Sequence, residues 1–194
     1  MNIEPVILEG KRVRLEPLLL SHHGALCEIG FDPELWKYGT SKIETDNDLF
    51  NYVAIALQYQ QNGTALPFVI KEKSSGKIIG STRYGNIDIK NRRVEIGWTW
   101  IACPWQRTYA NTETKYLMLK HAFEVLQCVR VEFKTDSMNH RSRTAILRIG
   151  AKEEGILRNH MVLPTGRIRD SVYYSIIESE WQKLKKVFET NLTL

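Results

Sequence analysis

From Val94 to Gln127 the pattern of apolar and polar positions changes period once, and the chain is organised around that change. Val94, Ile96, Trp98 and Trp100 alternate with Glu95, Gly97 and Thr99, the two-residue period of a β-strand with one face turned to a core. From Thr112 on, Tyr116, Leu119, Phe123 and Leu126 recur every three or four residues beside Leu117, Met118, Ala122 and Val125. Only a narrow polar stripe remains, Glu113, Lys120, Glu124 and Gln127, so this is a mostly buried helix lying on a sheet. Between the two lies a loop in which Pro104 stops the strand and Asn111 offers a helix cap.

The same reading carries outward along the chain. Ile7-Leu8 and Val13 to Leu15, broken at Gly10, predict a first strand with a bend, a hairpin-like start; Ser21 caps a short helix to Ile29; Pro33 to Tyr38 is a helical turn. Asp46 or Asn47 opens a longer helix to Gln60, stopped by Asn62-Gly63. Pro67 to Lys71, Ile78 to Tyr84 and the strand at Val94 then form an antiparallel meander. After the central helix come a strand at Val131, Phe133 and Thr135, a short helix from Asn139 to Ile149, and a closing hairpin of Ala151 to Leu163 and Arg169 to Ile177. An exposed helix from Ser179 to Glu189 ends the chain. The order β, α, α, β, β, β, α, β, α, β, β, α predicts an α/β fold with a mixed sheet and helices on both faces, in one domain spanning 1–194.

Composition narrows the classes. With 43% hydrophobic residues the 194-residue chain can fill a core. Cys27, Cys103 and Cys128 have no close spacing and indicate neither a disulfide framework nor a zinc site, and the five histidines lack a ligand spacing, so no metal is expected. The opening residues lack a basic-then-apolar leader, and no apolar run approaches the ~20 residues of a membrane span, so a soluble, cytoplasmic protein without a membrane partner is expected. A net charge of +5 suits anionic ligands or nucleic acid, but the basic residues are dispersed; an RNA- or ribosome-associated binding module would rest on charge alone.

Two places can carry chemistry. The strand–loop–helix junction at Cys103 to Asn111 points backbone N–H groups and the positive end of a helix dipole outward, which suits a pyrophosphate. The second is Thr135 to Gly155, where a strand runs into Asn139, with Ser142 three residues on. Taken locally, Asn139 is a cap and Ser142 a solvated residue.

Together these stretches, the Glu95-Ile-Gly-Trp98 strand, the loop and long helix, then Asn139-x-x-Ser142 followed by Gly150-Ala and Glu154-Gly155, resemble the GNAT acetyltransferases, and within them the RimJ/RimL-like branch. The resemblance spans nearly the whole chain, from Leu8-Glu-Gly-Lys-Arg to Glu180-Trp181. It implies a mostly antiparallel sheet of six to seven strands with a splayed central parallel pair, and an N-acetyltransferase moving the acetyl group of acetyl-CoA directly to a primary amine, either a protein N-terminus or a small molecule. Ribosomal proteins are among the branch's substrates, and its members often pair as homodimers. By resemblance, Trp100, Ile101 and Ala102 line the pantetheine arm, and Gln106, Arg107, Thr108, Tyr109, Ala110 and Asn111 form the pyrophosphate loop. In the family motif Q/R-x-x-G-x-G/A the two small positions are here Tyr109 and Asn111. That departure motivates a second reading, a non-catalytic acyl-CoA-binding protein. Many relatives place a Tyr seven residues after the Asn; here Ile146 stands there, and the branch's proton donor is Ser142, with Asn139 bonded to the arm. Glu95 is the candidate base, acting through water, or a structural hydrogen-bonding group. Amides near Thr99 and Trp100 would hold the oxyanion. Trp36, Tyr84 and Trp98 would wall the acceptor pocket, with Asp170 and Asn159 as candidate ammonium contacts.

Overall fold

The computed structural model describes residues 1–192. One sheet of eight strands runs through it in the order β1-β2-β3-β4-β5-β6-β8-β7. The strands are β1 (Leu8–Glu9), β2 (Val13–Pro17), β3 (Leu66–Glu72), β4 (Ile78–Asp88), β5 (Arg93–Ile101), β6 (Arg130–Asp136), β7 (Lys152–Val162) and β8 (Ile168–Ile177). The hairpin-like start of the sequence reading is a pair of antiparallel strands, turned where Gly10 donates its N–H to Val13 O. All neighbours are antiparallel except β5 and β6.

Five helices cover the sheet: α1 (His23–Gly30), α2 (Asp46–Gln61), α3 (Tyr109–Lys120), α4 (His140–Arg148) and α5 (Glu178–Leu192). Helix α3 lies between the sheet and α5, so Leu117, Met118 and Leu119 are all buried although they point in different directions. The last helix is not the exposed tail its charge suggested. Trp181 and Phe188 turn one face of α5 onto Tyr116 and Phe123 of the α3 segment. Nor is Glu113 a solvated member of a polar stripe. It is sealed, and its carboxylate accepts from the backbone N–H groups of Arg12 and Val13, fixing the entry to β2.

The opposite face is smaller. Leu26 of α1 and Leu49, Tyr52, Val53 and Ala56 of α2 pack on Val69 and Trp100, each large side chain contributing about 1.5–3 kcal/mol by burial. Helix α2 starts where Thr45 and Asp48 cap one another's backbone N–H groups, a capping box that sharpens the predicted start at Asp46 or Asn47. This second core reaches only as far as β5. On the same face β6 and β8 present Lys134, Arg169, Ser171 and Tyr173 rather than apolar groups. Among the described residues no helix is long and apolar enough to cross a membrane.

Candidate active site

Strands β5 and β6 pair in parallel at Arg93/Arg130, Val94/Val131 and Glu95/Glu132 and then separate. Beyond Glu95, β5 continues to Ile101 alongside β4 alone, and β6 continues to Asp136 alongside β8 alone. Two strand edges therefore face each other across an opening without pairing, and an unpaired edge is a template for any extended group carrying amides.

A bulge shapes this opening. Arg83 pairs with Gly97 but Ser81 pairs with Trp100, so Trp98 and Thr99 together oppose Thr82. Trp98 takes the strain, at φ 49°, a left-handed conformation uncommon for a bulky residue. The extra residue reverses the alternation. Val94, Ile96 and Ile101 join the core under α3, whereas Trp100 joins the core under α1 and α2, which corrects the single-sided reading of Ile96, Trp98 and Trp100. Trp100, Ile101 and Ala102 are all buried, so they border the opening with backbone rather than side chain. The Trp98 ring lies across Gly85, where a Cβ would collide with it.

The loop after β5 ends three residues earlier than expected. Thr108, not Asn111, caps α3, its hydroxyl accepting from the Ala110 N–H, and Tyr109 is the first helical residue. Arg107 precedes it at φ 60°. The backbone N–H groups of Arg107, Thr108 and Tyr109 have no acceptor among the described residues and lie at the positive end of a twelve-residue helix. Tyr109 does not cover them. Its ring is turned under the Arg12 guanidinium at 4.1 Å, its hydroxyl donates to Glu72, and Trp105 meets it edge-on. Asn111, half-buried, falls within the first turn of α3. Gln106 reaches both ways, donating to Ile101 O at 2.8 Å and accepting from Arg141 of α4 at 2.7 Å, and so links the two sides of the opening at its mouth.

Across that mouth Asn139 caps α4, its Oδ1 accepting from the Ser142 N–H at 3.0 Å. Ser142 is half-buried, and its hydroxyl has no hydrogen-bond partner among the described residues. Arg143 anchors this turn through Ser137 O and Tyr174. Asp170, expected as an ammonium contact, instead accepts from the backbone N–H of Asn159.

On the α1/α2 face, Glu95 is buried. Its Oε2 accepts from Asn86 at 2.7 Å and faces Lys134 at 3.3 Å, while Oε1 is unpaired and bends over Gly97 toward the bulge. Polar groups, Asn86 and Lys134, surround this carboxylate. Next to it Arg83 is only 4% exposed, stacked between the Tyr52 and Trp98 rings at 5.1 and 5.0 Å. Tyr52 completes this wall by donating its hydroxyl to Trp98 O. Trp36 contacts Tyr52 and Trp100 and donates its indole N–H to Gly30 O, placing it behind the pocket. Tyr84 is not in the pocket. It lies on the other face, sealed, with its hydroxyl donating to Met118 O.

Arg83, Tyr52 and Lys115 escaped the sequence reading. Lys115 is buried under α3 with Thr99 Oγ1 at 2.6 Å as its only partner among the described residues, and burial pulls its pKa down to about 7. A sign was available, because Lys115 falls outside the polar stripe of its helix. Folding also gathers His23, Cys27 and Asp46, which no spacing suggested. Burial, and then Asp46, raise the Cys27 thiol to about 11, and it donates to Asp46.

The open parallel pair, the bulge and the amide-rich helix head define a class, the acetyltransferases of the GNAT fold. Residues 12–152 match the family model described as an acetyltransferase (GNAT) domain, and the chain belongs to that family. It is similar to an N-acetyltransferase of Bacillus licheniformis called p20, otherwise uncharacterised, at 26% identity over 88% of this chain and 96% of that one. A Bacillus subtilis protein named provisionally as a ribosomal N-acetyltransferase, YdaF, is 35% identical over 55% of this chain and 57% of its own. Among solved structures, a GCN5-related N-acetyltransferase of Brucella melitensis superposes with TM-score 0.89 at 31% identity, covering 97% and 86% of the two chains. Mycobacterium smegmatis RimJ, solved in complex with CoA-disulfide, superposes with TM-score 0.83 at 22% identity, covering 97% and 95%.

Proposed function

We propose that this acetyltransferase takes its acetyl group from acetyl-CoA and passes it directly to a primary amine, a peptide N-terminus or a small molecule, with residues 1–194 acting as one domain. The observation that carries the reading is the β5/β6 opening that leads to the three unpaired amides of Arg107, Thr108 and Tyr109. An amide-bearing pantetheine arm fits the unpaired strand edges, and a pyrophosphate fits the helix head, with Arg107 exposed beside it. The CoA-disulfide bound to Mycobacterium smegmatis RimJ supports the same assignment.

Amide formation needs a neutral amine, a stabilised oxyanion and a leaving thiolate that gains a proton. Glu95 Oε1, directly or through water, takes the proton of the ammonium. The amine nitrogen attacks the thioester carbonyl, and the oxyanion meets amides of the bulged segment at Trp98 to Trp100. As the C–S bond breaks, Ser142 gives its hydroxyl proton to the thiolate and regains one from solvent, while Asn139 fixes the turn that presents it. The alternative, a non-catalytic acyl-CoA binder, was motivated by Tyr109 and Asn111, and the Tyr109 ring packs away from the amides. A thiol-release assay with acetyl-CoA against a broad amine panel tests the reading. Amine-dependent release of CoA is the expected result; binding of acetyl-CoA with no release for any amine would favour the non-catalytic alternative.

A further inference from the structure

We infer that Arg83 is an anion anchor in the acceptor pocket, and that the accepted amine carries a negative group, in the simplest case a carboxylate, a few bonds from its nitrogen. This rests on the reading of the site as an amine acetyltransferase. Arg83 is 4% exposed, yet it has no hydrogen-bond acceptor and no carboxylate within 4 Å among the described residues. Guanidinium is always charged and carries five N–H donors, so a buried site without an acceptor costs free energy that burial of a neutral group would not. Tyr52 and Trp98 give it π faces, which attract the charge without accepting its in-plane N–H groups. None of its nitrogens is a sealed orphan, so the unpaired donors keep some access to solvent. Glu95 does not serve as partner, because its Oε2 is held by Asn86 and Lys134 and its Oε1 is turned over Gly97.

Register places Arg83 where such an anion would lie. It pairs with Gly97, between the proposed base Glu95 and the bulge at Trp98. Glu95 pairs with Gly85, so Arg83 and Glu95 are diagonal neighbours about 7–8 Å apart at the backbone, and one small molecule can place its nitrogen at Glu95 Oε1 and an anion on Arg83 at once. Free amino acids satisfy this, as do peptides whose first residues are acidic. A polyamine does not, since it would bring a second cation against the guanidinium.

The test uses matched pairs: free amino acids against their amides, and dipeptides ending in an acidic residue against the same dipeptides with the corresponding amide side chain and an amidated terminus. For the wild type, kcat/KM should favour acids by about tenfold or more, the size of a charge-assisted hydrogen bond. Which series shows the preference separates small-molecule from peptide acceptors. Arg83→Gln should bring the acid-to-amide ratio near one, and Arg83→Lys should retain part of it, showing that the loss is not one of folding. Calorimetric titration of the unliganded wild type and Arg83→Gln with the same pairs gives a readout independent of turnover, with tighter acid binding expected only in the wild type. Equal binding of acids and amides, or an Arg83→Gln variant that lowers both alike, would overturn the inference while acetyl-CoA turnover stood. A protein that binds no acetyl-CoA would defeat the proposed function instead, and the unliganded titration would still decide the role of Arg83.

Discussion

Two buried cations lie on opposite faces of the sheet beside the same bulge, and they are handled in opposite ways. Lys115 sits under α3 in the apolar core, with one hydroxyl for company, and burial pulls its pKa down to about 7, so a large share of its charge is gone at neutral pH. Arg83 sits where the α1/α2 layer ends, equally unpaired, but it cannot discharge; two aromatic faces and some access to solvent take the place of an acceptor. A lysine can adapt to a dry site by losing its proton, whereas an arginine in the same situation marks a place where an anion belongs. On the proposed reading the polar face is the side on which substrate specificity is set, and the α3 face is the scaffold that holds the bulge in position.

The largest effect that would break this contrast is the pH dependence of stability. Below pH 7 Lys115 is protonated in both folded and unfolded chains. Between about 7 and the ordinary lysine value, 10.5, the unfolded chain holds a proton that the folded chain lacks, so stability rises with pH. The Lys115 share of this rise is on the order of 4 kcal/mol; because the Cys27 and Cys128 thiols, raised to about 11 by burial, oppose it above pH 9, the difference between wild type and Lys115→Met in chemical denaturation from pH 6.5 to 10.5 records it. Lys115→Met should flatten this rise and raise the melting temperature near pH 7; an unchanged slope would mean that Lys115 has a partner or water and is not dry.

Next in size are the proposed catalytic groups, Glu95 on the polar face and Ser142 at the head of α4. Glu95→Gln and Ser142→Ala should each lower kcat by roughly a hundredfold, with a much smaller change in the acetyl-CoA KM. Steady-state kinetics against a working amine decides this. Wild-type kcat in Ser142→Ala would remove that hydroxyl from the mechanism, and wild-type kcat in Glu95→Gln would leave Glu95 only its bonds to Asn86 and Lys134. Smaller still, Asn139→Ala removes the α4 cap at a cost of about 1 kcal/mol, or about 2–4 °C in a thermal melt. Because the same bond orients Ser142, kcat should fall as well.

How much of this was legible depends on whether a signal is local. The long helix, the meander, the closing hairpin and the Asn139–Ser142 turn follow from periodicity and from capping chemistry that acts over three or four residues. The bulge is not written that way. Trp98 and Thr99 fit a strand equally well with or without an extra residue, and no glycine marks the positive φ. Missing it put Trp100 on the wrong face. Arg83 looked like an ordinary polar position in a strand, because its isolation depends on what four separate elements fail to place near it. The cap at Thr108 was misplaced for a related reason. Asn111 is the better cap by residue type, but Thr108 is the residue whose backbone stays extended where the chain leaves the loop.

The central claim is that the head of α3 holds the donor's pyrophosphate through backbone N–H groups, and one calorimetric comparison addresses it. Acetyl-CoA is titrated into the wild type, Tyr109→Ala and Tyr109→Pro, with free CoA as control. Proline is well tolerated at the first position of a helix, so Tyr109→Pro deletes one N–H, and Tyr109→Ala controls for loss of the ring. The account predicts micromolar binding to the wild type and to Tyr109→Ala, and binding about tenfold or more weaker to Tyr109→Pro. No binding to the wild type at millimolar acetyl-CoA, or equal affinity in all three proteins, would contradict it.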